Sequence, residues 1–243
     1  MLKSMTSETA APKARNGGSV VGSARAEAIY RSIFNAVMDQ RLPPGAKLAE
    51  EQIGAIFDAS RTIVRSALQA LAQDHIVTTE RNRGAFVSAP TIADAQDIFF
   101  SRKVVESAIA REVARRIEPT DTAELWALLA SEREALRRDE RQKAIRLSGE
   151  FHISVAAICG EGALTQFLRG LISRSSLVIA LYGRGPASAC GHGDHVVFLD
   201  SLAAGDGERA AALMGEHLDH IFRDLVLAAR SEALVDIEAV LRP

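Results

Sequence analysis

Cysteine is nearly absent from this 243-residue chain: Cys159 and Cys190 are too few for a disulfide framework. No run of about 18 apolar residues occurs, so no segment is long enough to cross a bilayer as a helix. Residues 1–23, rich in Ser, Thr, Ala and Gly, lack the apolar centre of a signal peptide and suggest a disordered arm. Together these absences point to a cytoplasmic chain with both thiols reduced and no membrane partner. There is no internal repeat, and no His-Glu-x-x-His metalloprotease motif. Net charge is also small, −2 overall, but it is unevenly spread. Residues 1–90 hold eleven Lys/Arg against eight Asp/Glu, a net of +3, and the remainder carries −5. That sign suits a front half that meets a polyanion.

What is present is concentrated between Pro43 and Val87. Ser60 is placed to cap a helix through its hydroxyl. Val64, Ala67, Leu68 and Leu71 then fall at i, i+3, i+4 and i+7, one apolar stripe. Arg61, Thr62, Arg65, Ser66 and Gln69 are left on the opposite side. The two arginines stand four apart, so both guanidinium groups project from one face near the helix start. That is the end a recognition helix presents to base edges and phosphates, and a planar fork binds guanine or phosphate bidentately. Ala49 to Phe57 forms a shorter helix ahead of it, joined by the turn Asp58-Ala59-Ser60. Behind it, Ile76-Val77-Thr78-Thr79 and Ala85-Phe86-Val87-Ser88 are β-prone runs flanking Glu80-Arg81-Asn82-Arg83-Gly84. Helix, turn, capped helix and basic hairpin together describe a winged helix-turn-helix.

These residues resemble the GntR-type regulators. The likeness lies in Pro-Gly-x-x-Leu-x-Glu from Pro44, in Ser-Arg-x-x-Val-Arg-x-Ala-Leu-x-x-Leu from Ser60, and in Arg-Gly-Ala-Phe-Val from Arg83. The resemblance implies that Ser60, Arg61, Thr62 and Arg65 meet DNA, with Arg81, Arg83 and Gly84 at the wing. At Glu51 some relatives carry a basic residue that helps hold phosphate.

Beyond the boundary at Ser88-Ala89-Pro90, turn signals are far apart and strand patterns scarce. Amphipathic segments run over 92–117, 121–138, 141–159, 164–182, 192–204 and 206–229, with a short helix possible within 231–241. The segment from Leu164 to Tyr182 is so apolar that it belongs at a packing interface. The fold class is therefore mostly α: a winged helix-turn-helix of three helices and a hairpin, then an all-α bundle. Four segments follow: an arm (1–23), a DNA-binding domain (24–90), a helical effector domain (91–230) and a tail (231–243). The helical part resembles the FCD effector domain of the FadR-type branch of the same family, an antiparallel bundle.

Three of the six histidines point into that bundle from different helices. His152 shares a face with Ile145, Ser148, Val155 and Cys159; His195 with Phe198, Leu199 and Leu202; His217 with Leu213 and Ile221. Buried imidazoles need partners for their nitrogens, and one divalent cation such as zinc satisfies all three. A metal-free polar pocket is the alternative. Metal-binding relatives resemble the chain at Phe151-His152, Asp194-His195 and His217-Leu218, but place an aspartate where Ser148 stands. His192, or an oxygen of the effector, is a candidate substitute. Arg102 shares its stripe with Ile98, Val105 and Ile109, so it is directed inward and requires an anion. Glu106, one turn on, is one candidate. The resemblance implies another, an effector carboxylate held by Arg102 with Glu106 orienting it; Ser148, Ser173, Arg174 and Tyr182 are further candidate contacts.

The expected function is that of a ligand-responsive transcriptional regulator. As a homodimer it would bind double-stranded operator DNA and act as a repressor released by a small carboxylate metabolite. A metal-dependent enzyme built on the three histidines, and a constitutive DNA-binding protein with a dead pocket, are the alternatives. The enzyme lacks a general base, since Glu150 is two residues from His152 and faces elsewhere.

Overall fold

A computed structural model describes residues 23–183, 192–225 and 236–241. The arm at 1–22, Cys190 and positions 226–235 therefore lie outside the described residues. Helix α1 (Ala24–Met38) starts at Ser23, whose hydroxyl accepts from the Ala26 amide, and it buries Ala26, Ile29, Ile33, Ala36 and Val37. Strand β1 (Lys47–Leu48), α2 (Glu50–Phe57) and α3 (Arg61–Gln73) follow, then β2 (Val77–Glu80) and β3 (Gly84–Val87).

The expected hairpin is present but is part of a larger sheet. β3 is central, with β2 and β1 antiparallel on either side; Val77 faces Val87, and Lys47 faces Phe86. β1 escaped the sequence reading because two residues are too few to show a period of two. The hairpin turn holds Asn82 at φ 64° and Gly84 at φ 101°. Only glycine enters that second region without strain, so the Asn-Arg-Gly order follows from the backbone.

Thr91 caps α4 (Ile92–Val113) in a reciprocal box with Asp94. Then come α5 (Pro119–Arg137), α6 (Arg141–Ala157), α7 (Ala163–Tyr182), α8 (His192–Ala203), α9 (Gly207–Arg223) and the short α10 (Ile237–Leu241). α4 stops four residues short of the expected end, where the chain turns over 114–116 toward Pro119 at the start of α5. The expected continuation of α9 to 229 runs into residues that are not described. No helix among the described residues is long and apolar enough to cross a membrane.

Two hydrophobic clusters form the interior. One joins α1–α3 and the sheet through Ile29, Ile33, Leu48, Ile53, Val64, Leu71 and Val87; the other fills the bundle around Phe151, Leu125, Leu129 and Phe198. They are not independent. Leu177 and Leu181 of α7, and Ile237 and Leu241 of α10, are buried in the first cluster, while Met38 of α1 belongs to the second. The apolar density of α7 has this cause: one side packs the bundle and the other packs the winged unit.

Candidate functional site

The outer face of α3 is open. Val64, Ala67, Leu68 and Leu71 are buried, whereas Arg61, Thr62, Arg65 and Gln69 are exposed. Ser60 is the N-cap residue, in extended conformation, but its side chain makes no capping bond. The expected hydroxyl cap is thus corrected: the backbone carbonyl of Ser60 accepts from Val64, and the hydroxyl stays at the surface. Arg65 Nε donates to both oxygens of Glu50 at 2.9 Å, across to the first turn of α2. Exposed pairs of this kind contribute little stability and exchange readily for a phosphate. At the wing, Arg81, Arg83 and Gly84 are all exposed; Arg83 pairs with Glu80 and its guanidinium lies 5.3 Å from the centre of the Phe86 ring. Glu51 is exposed on α2.

Deep in the bundle, α6, α8 and α9 bring His152, His195 and His217 together, each less than 4% exposed. The His195 Nε2 lies 3.2 Å from the Nε2 of His152 and 3.2 Å from that of His217. All three rings turn their Nδ1 atoms outward toward carboxylates. Glu132 Oε2 is 3.2 Å from His195, Asp194 Oδ2 is 3.4 Å from His217, and Glu106 Oε2 is 2.6 Å from His152. The last contact is close but lies off the line of a hydrogen bond. A carboxylate at Nδ1 fixes the proton there and leaves Nε2 as an acceptor. With the proton at Nδ1, the Nε2 of His195 is an acceptor facing the Nε2 atoms of His152 and His217, each 3.2 Å away, and all three donor atoms lie within 4.8 Å of one another. His152, His195 and His217 would hold a divalent cation through these nitrogens, three imidazoles being a donor set that zinc takes.

Glu132, on α5, was missed from the sequence. It sits in Ser-Glu-Arg-Glu, which has the look of a solvated face. The available signal was its phase: Glu132 is seven residues after Leu125 and three after Leu129, on the buried stripe. Ser148 is buried one turn before His152, as expected. α8 begins at His192, whose side chain lies outside the described residues.

Burial sets the charge states. It lowers His152 to about 4 and His217 to about 3, in the latter case with help from the neighbouring His195. Asp194 is held down to about 2 by the hydrogen bond from His217, against some desolvation. Burial opposes ionisation of Glu106, but Arg102 and then His152 outweigh it and keep its carboxyl well below the usual range. In metal-free protein the folded imidazoles stay neutral while the unfolded ones protonate near 6.5. Their contribution to stability is therefore complete above about pH 6.5 and is lost as pH falls toward 4 and then 3, at roughly 1.4 kcal/mol per pH unit for each ring. Urea unfolding with chelator present should show a lower midpoint at pH 5 than at pH 7.5; equal midpoints would contradict the buried neutral rings.

Arg102, on α4, is also buried. Its Nε donates to Glu106 Oε1 at 2.6 Å and its Nη1 to Ser175 Oγ at 3.0 Å, while Nη2 has no partner among the described residues. Beside Glu106 and His152 is a cavity of about 10 Å³, lined also by Ile109, Val155, Leu168, Phe198 and Met214. That is room for one water, so a metabolite-sized ligand requires the bundle to open. A cleft of about 530 Å³ between residues 38–40 and 139–143 shares no residue with the histidines.

Three of the candidate effector contacts stand elsewhere. Arg174 acts electrostatically on His75 and Asp94, Tyr182 donates to the Pro90 carbonyl at 3.0 Å, and Ser173 donates to the Asp74 carbonyl at 2.8 Å. Ser173 faces the winged unit, whereas Tyr182, at the end of α7, packs against both hydrophobic clusters. The α7 residue that reaches Arg102 is Ser175.

Residues 25–87 match the family of bacterial regulatory proteins named gntR, and residues 97–220 match the FCD domain. Among curated relatives, the HTH-type transcriptional repressor RspR of Escherichia coli K12 is 28% identical over 124 residues. That match takes in 51% of this chain and 54% of the repressor, so the chain spans about half the length of that relative. An HTH-type transcriptional regulator in an unstable DNA locus of Streptomyces ambofaciens is 28% identical over 88% of this chain and 91% of its own. A solved GntR transcriptional regulator from Rhodococcus sp. RHA1 superposes with a TM-score of 0.72 at 26% identity, covering 86% of this chain and all of that one. Escherichia coli McbR/YncC shares the fold alone, with a TM-score of 0.67 at 19% identity over 81% and 94%.

Proposed function

The chain belongs to the bacterial gntR family and carries an FCD domain, and from that premise we propose a DNA-binding transcriptional regulator answering to a small anionic metabolite. The single observation that carries this reading is the pairing of an exposed arginine face on α3 with a buried, charge-rich site in a separate helical body. The family and the named relatives are regulators and not enzymes. Residues 24–90 serve as the DNA-binding domain, 91–230 as the effector domain, and 231–243 as the tail. The protein acts in the cytoplasm as a homodimer, each winged unit entering one major groove of a pseudo-palindromic operator. Repression released by ligand is the favoured sign, since the Escherichia coli relative is named a transcriptional repressor.

In this reading His152, His195 and His217 hold a divalent cation such as zinc. The donor chemistry fits. Three neutral imidazoles bring no negative charge themselves, but Glu106, Glu132 and Asp194 stand at their outer nitrogens. A dication together with Arg102 balances those three carboxylates, whereas the metal-free site leaves them in excess. When bound, the ion supplies a positive centre to which an anionic oxygen can be drawn. Ser148, where relatives place an aspartate, adds no charge, which leaves that position to the ligand. Arg102 offers the second anchor through Nη2, with Glu106 holding the guanidinium by Nε.

Arg102→Ala tests the assignment. Carboxylate metabolites should no longer change operator binding in gel-shift titrations, whatever its level without ligand. A full response in that variant would move the anchor elsewhere.

A further inference from the structure

Three residues within one turn of α7 touch three different parts of the molecule. Ser175 Oγ accepts from Arg102 at the buried site. Ser173 Oγ donates to the carbonyl of Asp74, the C-cap residue of α3. Leu177 is buried in the core of the winged unit, as is Leu181 one turn on. Two helical residues are about 200° apart around the axis and four are about 40° apart. Ser173 and Leu177 therefore share the side facing the winged unit, and Ser175 looks the other way, into the bundle. Asp74 is fixed from a second direction, since Tyr30 of α1 donates to its carboxylate at 2.5 Å. The end of the recognition helix is thus pinned to α1 and to α7, and α7 is pinned to Arg102.

We propose that α7 is the lever that conveys occupancy at Arg102 to α3, with Ser175 as the sensing contact and Ser173 as the delivering one. This rests on reading Arg102 as the anion-binding group. An anion held end-on by both Nη atoms uses the Nη1 proton beside Nη2 and draws the guanidinium toward itself, which pulls the other Nη1 proton off Ser175. Ser175 retains the carbonyl of Ile172, 3.1 Å away in its own helix, and so remains satisfied. The link between α4 and α7 is broken and α7 reseats. Ser173 and Leu177, rigidly joined to Ser175 through less than two turns, move with it, and Asp74 moves with them. Two arrangements with different contacts at each end are what a coupling free energy requires.

The test needs no ligand and uses the full chain. Hydrogen exchange read by mass spectrometry should show the amides of Asp74, His75 and Ile76 exchanging about threefold to tenfold faster in Ser175→Ala, the scale of one lost hydrogen bond. Thr165→Ala removes a buried hydroxyl that bonds the Ala156 and Gly160 carbonyls near the start of the same helix. It should leave 74–76 unchanged. Reciprocity gives a second reading if Ser175→Ala folds poorly: Ser173→Ala, at the half-buried seam, should alter exchange around Arg102 in α4. The lever is overturned if Ser175→Ala affects only α4 and α7, if Thr165→Ala reproduces its pattern at 74–76, or if Ser173→Ala leaves α4 untouched. Failure of the anion reading would show instead as an unaltered ligand response in Arg102→Ala, with these exchange patterns intact.

Discussion

Replacing Arg61 and Arg65 together by alanine will reduce operator affinity by about a hundredfold or more while leaving the unfolding midpoint almost unchanged. Both guanidinium groups are exposed beside the start of α3, and neither packs against the core, so removing them creates no cavity; surface changes of this kind stay within about 0.5 kcal/mol. The loss at DNA is larger because a bidentate arginine contact to a base is worth about 1–3 kcal/mol, and the proposed homodimer would forfeit it twice. Arg65 first has to leave Glu50, whose two oxygens it now meets. That exchange of one anion for another is nearly balanced at the surface. Salt distinguishes the two kinds of contact. If both arginines meet phosphate, the slope of log affinity against log salt falls by about 0.9 for each contact removed; if they read bases, the slope holds and sequence preference relaxes. Unchanged binding at physiological salt would remove this face from the interface.

Much of that face was legible beforehand, because a helix with a four-residue apolar stripe and a polar remainder has one way to lie on a core. Val64, Ala67, Leu68 and Leu71 are buried accordingly. The helix order of the effector body and the inward turn of His152, His195 and His217 were legible for the same reason, periodicity. Long-range pairing was not. β1 is two residues long and shows no alternation, and Glu132 hides its burial among neighbouring charges. Arg174, Tyr182 and Ser173 were assigned to the ligand site from their helix alone, yet that helix has two buried sides. Nothing local told Ser173 from Ser175, two positions apart and facing opposite ways. The Ser60 hydroxyl failed as a cap for a related reason: its residue type suits the bond, but the rotamer depends on surroundings no short window contains.

His195 occupies the centre of the histidine group, within 3.2 Å of both other Nε2 atoms, so its loss should be the most damaging change at that site. Zinc at a thousand times its dissociation constant stabilises a fold by about 4 kcal/mol, which for a chain of this size is roughly 8–16 °C in Tm. The unsubstituted protein should show a shift of that order over chelator-treated protein, with one zinc per chain. His195→Ala and His217→Ala should each abolish both the shift and the bound metal. Equimolar zinc in both variants would end the three-histidine assignment, whatever their stability. Glu132→Gln separates a ligand from its support. The carboxamide keeps the shape and can still accept from His195 Nδ1, but it no longer carries the charge that makes Nε2 a better donor to a metal. Zinc should still bind at one per chain, about tenfold to a hundredfold more weakly, as for other outer partners of metal-bound imidazoles. Complete loss of metal would place Glu132 in the coordination shell itself, and unaltered affinity would reduce it to a neighbour that happens to be buried.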